Sequence, residues 1–164
     1  MRKEVLFMTR AAMIAAVYVA LTFVLAPISF GEIQVRISEA LTVLPAFTGA
    51  AVPGLFIGCL LGNMLGGAVL PDVIFGSLAT LIGAVLTWML CHGQNTGKRR
   101  FLAPVPPIAA NVLIVPFVLK YAYGVPLPIP FMMLTVGIGE VISCGVLGML
   151  LYQVVEKNLL VIFR

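Results

Sequence analysis

The chain has 164 residues, 62% of them hydrophobic and only 10% charged, with a formal net charge of +4 and a mean hydropathy of +1.15. So few charges cannot cover a water-facing surface, which excludes a soluble globular domain, and one domain's length leaves no room for a separate soluble catalytic module. The excess of positive charge suggests nucleic acid at first sight, but its distribution along the chain has another explanation.

Runs without a charged residue mark the predicted spans: 11–31, 40–71, 73–97, 101–119, 121–139 and 141–155. A helix needs roughly 20 apolar residues to cross about 30 Å of hydrocarbon. The 40–71 run is therefore too long for one crossing, and Pro53-Gly54 in its middle predicts the dividing turn. The chain reads as a single all-α transmembrane domain over 1–164, a six-helix bundle with spans near 9–27, 40–52, 54–69, 73–91, 103–122 and 131–155. The first span follows Arg2, Lys3 and Arg10 and is too long for the apolar core of a secretion signal. The second and third are short, so their polar flanks are expected inside the membrane zone, sheltered by protein. Among the connections, 28–39 is polar, 92–100 is a plain linker, and 123–130 carries Pro126, Pro128 and Pro130, which favour a stiff extended path. Cys59, Cys91 and Cys144 lie singly in or beside apolar runs and read as small packing residues, with no metal-ligand spacing and no disulfide framework.

Six spans put both termini on one side. Arg2, Lys3, Arg10, Lys98, Arg99, Arg100, Lys157 and Arg164 then share that side, which the positive-inside rule makes the cytoplasm. Arg36 and Lys120 remain for the outer half, while Glu32, Glu39, Asp72 and Glu140 fall in outer loops or within the membrane. The basic balance thus records orientation and not nucleic-acid binding.

Three constellations stand out. Arg36-Ile37-Ser38-Glu39 precedes the second span: Ser38 is placed to cap it, and Arg36 to pair with Glu39. Asn63, Asn111 and Glu140 lie inside spans, with Asp72 at a mouth where it too could cap a helix. A carboxylate in hydrocarbon costs about 3 kcal/mol even on a lenient scale, so Glu140 needs a partner or a ligand. Interhelical glue explains each asparagine taken singly. Together, three acids, two amides and one base suit a ligand rich in N–H donors or bearing a positive charge. The third constellation is Ala11, Ala12, Ala15, Ala16 and Ala20, a smooth face for a neighbouring helix within the bundle or in a separate subunit. No phosphate-cradling loop, metal-binding His-Glu-x-x-His helix or nucleophile elbow occurs, and the single histidine, His92, sits at a span end. The chain is therefore expected to be no enzyme, to hold no metal or cofactor of its own, and not to power transport alone.

Several stretches resemble the queuosine precursor transporter family of the QueT type: the alanine pairs of span one, Gln34-Val35-Arg36-Ile37-Ser38-Glu39-Ala40-Leu41, Pro53-Gly54-Leu55-Phe56-Ile57-Gly58, Asp72-Val73-Ile74-Phe75-Gly76-Ser77-Leu78-Ala79-Thr80, and Gly139-Glu140. The resemblance extends over nearly the whole chain. It implies the substrate-binding S component of an energy-coupling factor (ECF) transporter in the cytoplasmic membrane, which works with a coupling transmembrane subunit and two cytoplasmic ATPases that use ATP. The implied ligands are 7-deazaguanines: the nitrile or aminomethyl queuosine precursor, or queuine. Arg36, Glu39, Asn63, Asp72, Asn111 and Glu140 would then bind the solute, with Glu140 on the adjacent N–H donors of the base. Phe30, Phe75 or Tyr123 would stack on it, and Ala11, Ala12, Ala15 and Ala16 would meet the coupling subunit. An S component for another small vitamin-like solute is the alternative. An intramembrane enzyme would need a nucleophile or metal site that the sequence does not display.

Overall fold

The computed structural model describes residues 2–25, 35–92 and 101–158. Among these residues the chain is all-helical, with no strand. It comprises α1 (Arg2–Val24), a 3-10 helix η1 (Ile37–Ala46), α2 (Ala51–Leu65), α3 (Leu70–Cys91), α4 (Val105–Tyr121) and α5 (Ile129–Lys157), the last with a π-helical stretch over Val141–Leu147. α1, α3 and α5 are long and apolar enough to cross a membrane, whereas η1, α2 and α4 are shorter apolar helices. Met8, Phe23, Leu65, Leu70 and Leu113 are among many large apolar side chains on the outside. Such a surface marks a bundle that meets lipid.

η1 is the centre of the molecule: every residue from Ser38 to Ala46 is buried. A 3-10 helix rises about 2.0 Å per residue, so ten residues reach as far as about thirteen in an α-helix. The second element therefore covers much of the bundle's depth with fewer residues than its predicted span. Its boundary also differs from expectation. The chain breaks at 47–50, and Pro53-Gly54 is not a turn but part of the first turns of α2. Proline is tolerated there because its missing N–H would find no helical partner anyway. Gly54 serves packing, since a Cβ on it would stand 2.7 Å from the Ala11 carbonyl oxygen.

Gly54 belongs to a stripe. Gly54, Gly58 and Gly62 recur every four residues on the α2 face that meets α1. A Cβ on Gly58 would come within 2.8 Å of Tyr18 Cβ, and one on Gly62 within 3.2 Å of Thr22 Cβ. Small residues at this spacing let two helices approach closely where lipid supplies no hydrophobic drive. α3 and α4 use the same device, with Gly83 lying so close to Pro107 that a Cβ would stand 2.6 Å from its Cα. The lower part of η1 is held in two apolar clusters, one including Leu41, Leu44, Leu55 and Ala84, the other Val43, Ala46, Cys91, Ala103 and Tyr152.

At the opposite end, Lys120 Nζ donates to the carbonyls of Val125 (3.4 Å) and Leu127 (3.2 Å), tying the connection after α4 back onto that helix. Pro128 is the extended cap of α5, and Pro130 already lies in its first turn.

Candidate functional site

The rim of the site lies where α1, α2 and α4 finish and where α3 and α5 begin, and its deeper part draws on residues further inside α3, α4 and α5. At its rim Arg36 Nη2 pairs with Asp72 Oδ2 at 3.4 Å, both side chains being buried. The Tyr123 hydroxyl donates to the same oxygen at 2.9 Å and accepts from the Val69 N–H at 3.4 Å. Burial, with the Asp72 carboxylate beside it, pushes the Tyr123 phenol up to about 12, so the phenol stays protonated as a donor. Two expectations change here. Asp72 occupies the first turn of α3 without capping it, and the observed ion pair of Arg36 is with Asp72, not Glu39. The backbone of Arg36 is extended, outside the helical turn that would bring an i, i+3 neighbour alongside.

Deeper lies Glu39. Its Oε1 accepts hydrogen bonds from the Tyr18 hydroxyl and from Thr80 Oγ1, the latter at 3.4 Å. Ser38, beside it, accepts from Thr22 Oγ1 at 2.8 Å and caps nothing. Thr42, one 3-10 turn on, donates to the Glu39 carbonyl at 2.6 Å. Glu140 comes from α5 and faces the bundle, its Oε2 accepting from Cys144 Sγ at 3.1 Å. The Asn111 carboxamide lies next to both carboxyl groups, while its Nδ2 makes no bond of hydrogen-bond geometry among the described residues. The π-helical stretch opens immediately after Glu140. Such insertions in α-helices are frequent at functional sites.

Asn63 connects the two levels. Its Nδ2 donates to the Asp72 carbonyl at 3.3 Å and toward Cys59 Sγ at 3.6 Å, and Thr80 Oγ1 reaches the same sulfur at 3.4 Å. Buried polar atoms are ordinarily bonded. Here Glu39 Oε2, Asn63 Oδ1, Asp72 Oδ1, Asn111 Nδ2 and Ser143 Oγ are buried without a partner among the described residues. Three carboxyl groups and one guanidinium share the cluster, so its surplus is of acceptors.

The structure thus brings Arg36, Glu39, Asn63, Asp72, Asn111 and Glu140 together. It does not bring Phe75, which is half exposed and lines an outward groove with Pro71, Ile114 and Phe117. Tyr123 meets the cluster through its hydroxyl, and Phe30 lies outside the described residues. Tyr18, Thr42, Cys59, Thr80 and Cys144 belong to the cluster but were missed in the sequence. A tyrosine in the middle of an apolar span, away from the usual interfacial belt, was the one available signal. Cys59 and Cys144 bond to polar partners and are more than packing residues. Donor atoms of Glu39, Glu140 and Cys144 lie within 4.8 Å of one another, close enough to hold a cation.

The alanine face divides. Ala15 is buried and, with Ala11, meets the glycine stripe of α2. Ala12 and Ala16 are exposed, and all four alanines line an open apolar groove of about 880 Å³ with Ala20, Ile57 and Leu61.

The sequence profile of the QueT transporter family matches residues 8–157. A protein named Queuosine precursor transporter QueT, from Lactococcus lactis subsp. cremoris, is 41% identical over 73 residues. That alignment takes in 43% of this chain and 43% of the relative, so less than half of the relative's length is matched. No solved structure matches the chain. On the extent of the profile match, the chain belongs to the QueT transporter family.

Proposed function

We propose that this member of the QueT transporter family binds a queuosine precursor, a 7-deazaguanine, as the S component of an ECF transporter in the cytoplasmic membrane. The observation that carries the reading is the set of buried, partnerless atoms around Glu39 and Asn111. A guanine-like edge presents adjacent N–H donors beside a carbonyl oxygen. Glu39 Oε2 and the Glu140 carboxyl accept from the donors, and Asn111 Nδ2 donates to the carbonyl. Such charge-assisted bonds are the strong ones, most of all where water is excluded.

In this reading both termini are cytoplasmic and the site opens outward. The chain does no covalent chemistry and takes its energy from ATP hydrolysed by two partner ATPases, through a coupling transmembrane subunit. That subunit docks in the open groove that Ala11, Ala12, Ala15 and Ala16 line, with Ala11 and Ala15 also holding α1 against the α2 glycines.

Binding of 7-deazaguanines, guanine and a vitamin panel to the purified protein tests the reading. Glu140→Gln is expected to weaken 7-deazaguanine binding about 10-fold or more, the scale of one hydrogen bond to a charged group. Unchanged affinity, or a vitamin bound in place of the base, overturns it.

A further inference from the structure

Two lines run down α5. Met132, Val136, Glu140, Cys144, Gly148 and Tyr152 are buried, while Leu134, Ile138, Ile142, Val146, Leu150 and Val154 face outward. Each line repeats every four residues. An α-helix turns about 100° per residue, so each four-residue step overshoots by about 40°, and five steps would carry a line roughly 200° around the axis. The π-helical stretch Val141–Leu147 lies in the middle of both lines. With i→i+5 bonds a turn takes more than four residues, so the steps fall short there and cancel part of the drift.

Below the stretch the buried line is fixed on η1. A Cβ on Gly148 would stand 3.0 Å from Val43 Cγ1 and 3.4 Å from the Ala40 carbonyl oxygen, and the Tyr152 ring lies 4.5 Å from that of Phe47. Glu140 is the last residue before the unwinding. Cys144, inside the stretch, places its sulfur 3.1 Å from Glu140 Oε2 and 3.4 Å from the Glu39 carbonyl oxygen. The winding also leaves a bond unmade. In α3 Ser77 donates to the carbonyl four residues back, that of Val73, at 2.6 Å, whereas the buried Ser143 hydroxyl has no partner among the described residues.

We infer that the π-helical stretch is a positioning device, which keeps Glu140 turned toward Glu39 while the lower part of α5 stays fixed on η1. With one residue fewer the stretch would wind as α-helix, and the part above it would turn by about 100° and shift by about 1.5 Å. Glu140 would then come to the place of Val141, which faces outward. Gly139, without a side chain, would take the place of Glu140.

The role of Glu140 rests on the 7-deazaguanine reading, and the experiment separates the two. In the otherwise native chain, single spin labels along residues 134–154 report oxygen accessibility in bilayers. Maxima every four residues are expected, and a regular period of about 3.6 overturns the inference. Aiming is read by calorimetry on a chain lacking Val146, an outward-facing residue of the stretch. It should lose about tenfold or more in 7-deazaguanine affinity, and Glu140→Gln should then cost less than about twofold further, because the two changes remove one and the same contact. A folded deletion chain that keeps its affinity overturns the inference, as does one in which Glu140→Gln still costs its full factor. A deletion chain that fails to fold overturns it too, since the extra residue is then a requirement of the bundle and not of the site. If the native chain binds no 7-deazaguanine, the base reading falls and the aiming with it, while the label scan still decides the winding.

Discussion

The two halves of η1 lie in one buried helix yet live in opposite surroundings. Its lower half, Val43 to Ala46, is packed by Leu55, Ala84, Ala103 and Tyr152 in continuous apolar clusters. In its upper half Leu41 still joins the apolar packing, but Ser38, Glu39 and Thr42 meet hydroxyls of α1 and α3 and a thiol of α5. Below, each surface already has its complement. Above, buried polar atoms lack partners among the described residues, and an unmade bond in such a place costs about 1–3 kcal/mol. The lower half secures the fold, and the upper half, in the proposed function, holds groups that a ligand would satisfy.

That division is open to direct attack. The largest effect is expected from Gly83→Ala, because the new Cβ meets Pro107 backbone rather than a flexible side chain. Overpacking of this kind costs about 1–3 kcal/mol or more. The thermal midpoint should fall clearly while the folded fraction keeps its ligand affinity within about twofold; lost affinity in well-folded protein would blur the two halves. Glu39→Gln should do the reverse. The amide oxygen still accepts from Tyr18 and Thr80, so the unliganded midpoint should hold or rise, as removing a buried charge often allows. Ligand affinity should drop about 10- to 100-fold, read by calorimetry. A midpoint that falls as far as in Gly83→Ala would make the upper half structural too. The smallest change is expected from Tyr18→Phe, at the boundary: a several-fold loss of affinity from a less firmly oriented Glu39, with the midpoint shifted by about 1 kcal/mol or less. Full retention of affinity would show that Glu39 needs no such support.

How much of this was legible in the sequence depended on what each residue costs in its setting. Glu140, Asn111 and Asn63 were readable because polar groups in apolar runs are expensive wherever they point. Their partners were not. Arg36 has Glu39 three residues away in sequence, yet it pairs with Asp72 on another helix, because an extended residue before a helix does not face the first turn. Pro53-Gly54 reads as a turn by local punctuation, but the same two residues suit a helix start packed against α1, and packing decided. Nothing local distinguishes a 3-10 from an α-helix in Ile37–Ala46, where the space left between the surrounding helices sets the winding. The place of Phe75 was readable. Asp72, Gly76, Thr80 and Ala84 repeat every four residues along the buried side of α3, which turns Phe75 outward.

Tyr18 gives α1 a further property. Its hydroxyl bonds to Glu39 while Ala12 and Ala16, on the same rigid helix, face the open groove. The two proposed sites are thus joined by one helical body, and equilibrium linkage would make any influence between them mutual. A subunit that grips this alanine face harder when Glu39 is occupied must tighten the solute by the same factor. One that grips it harder when Glu39 is vacant must help to expel the solute.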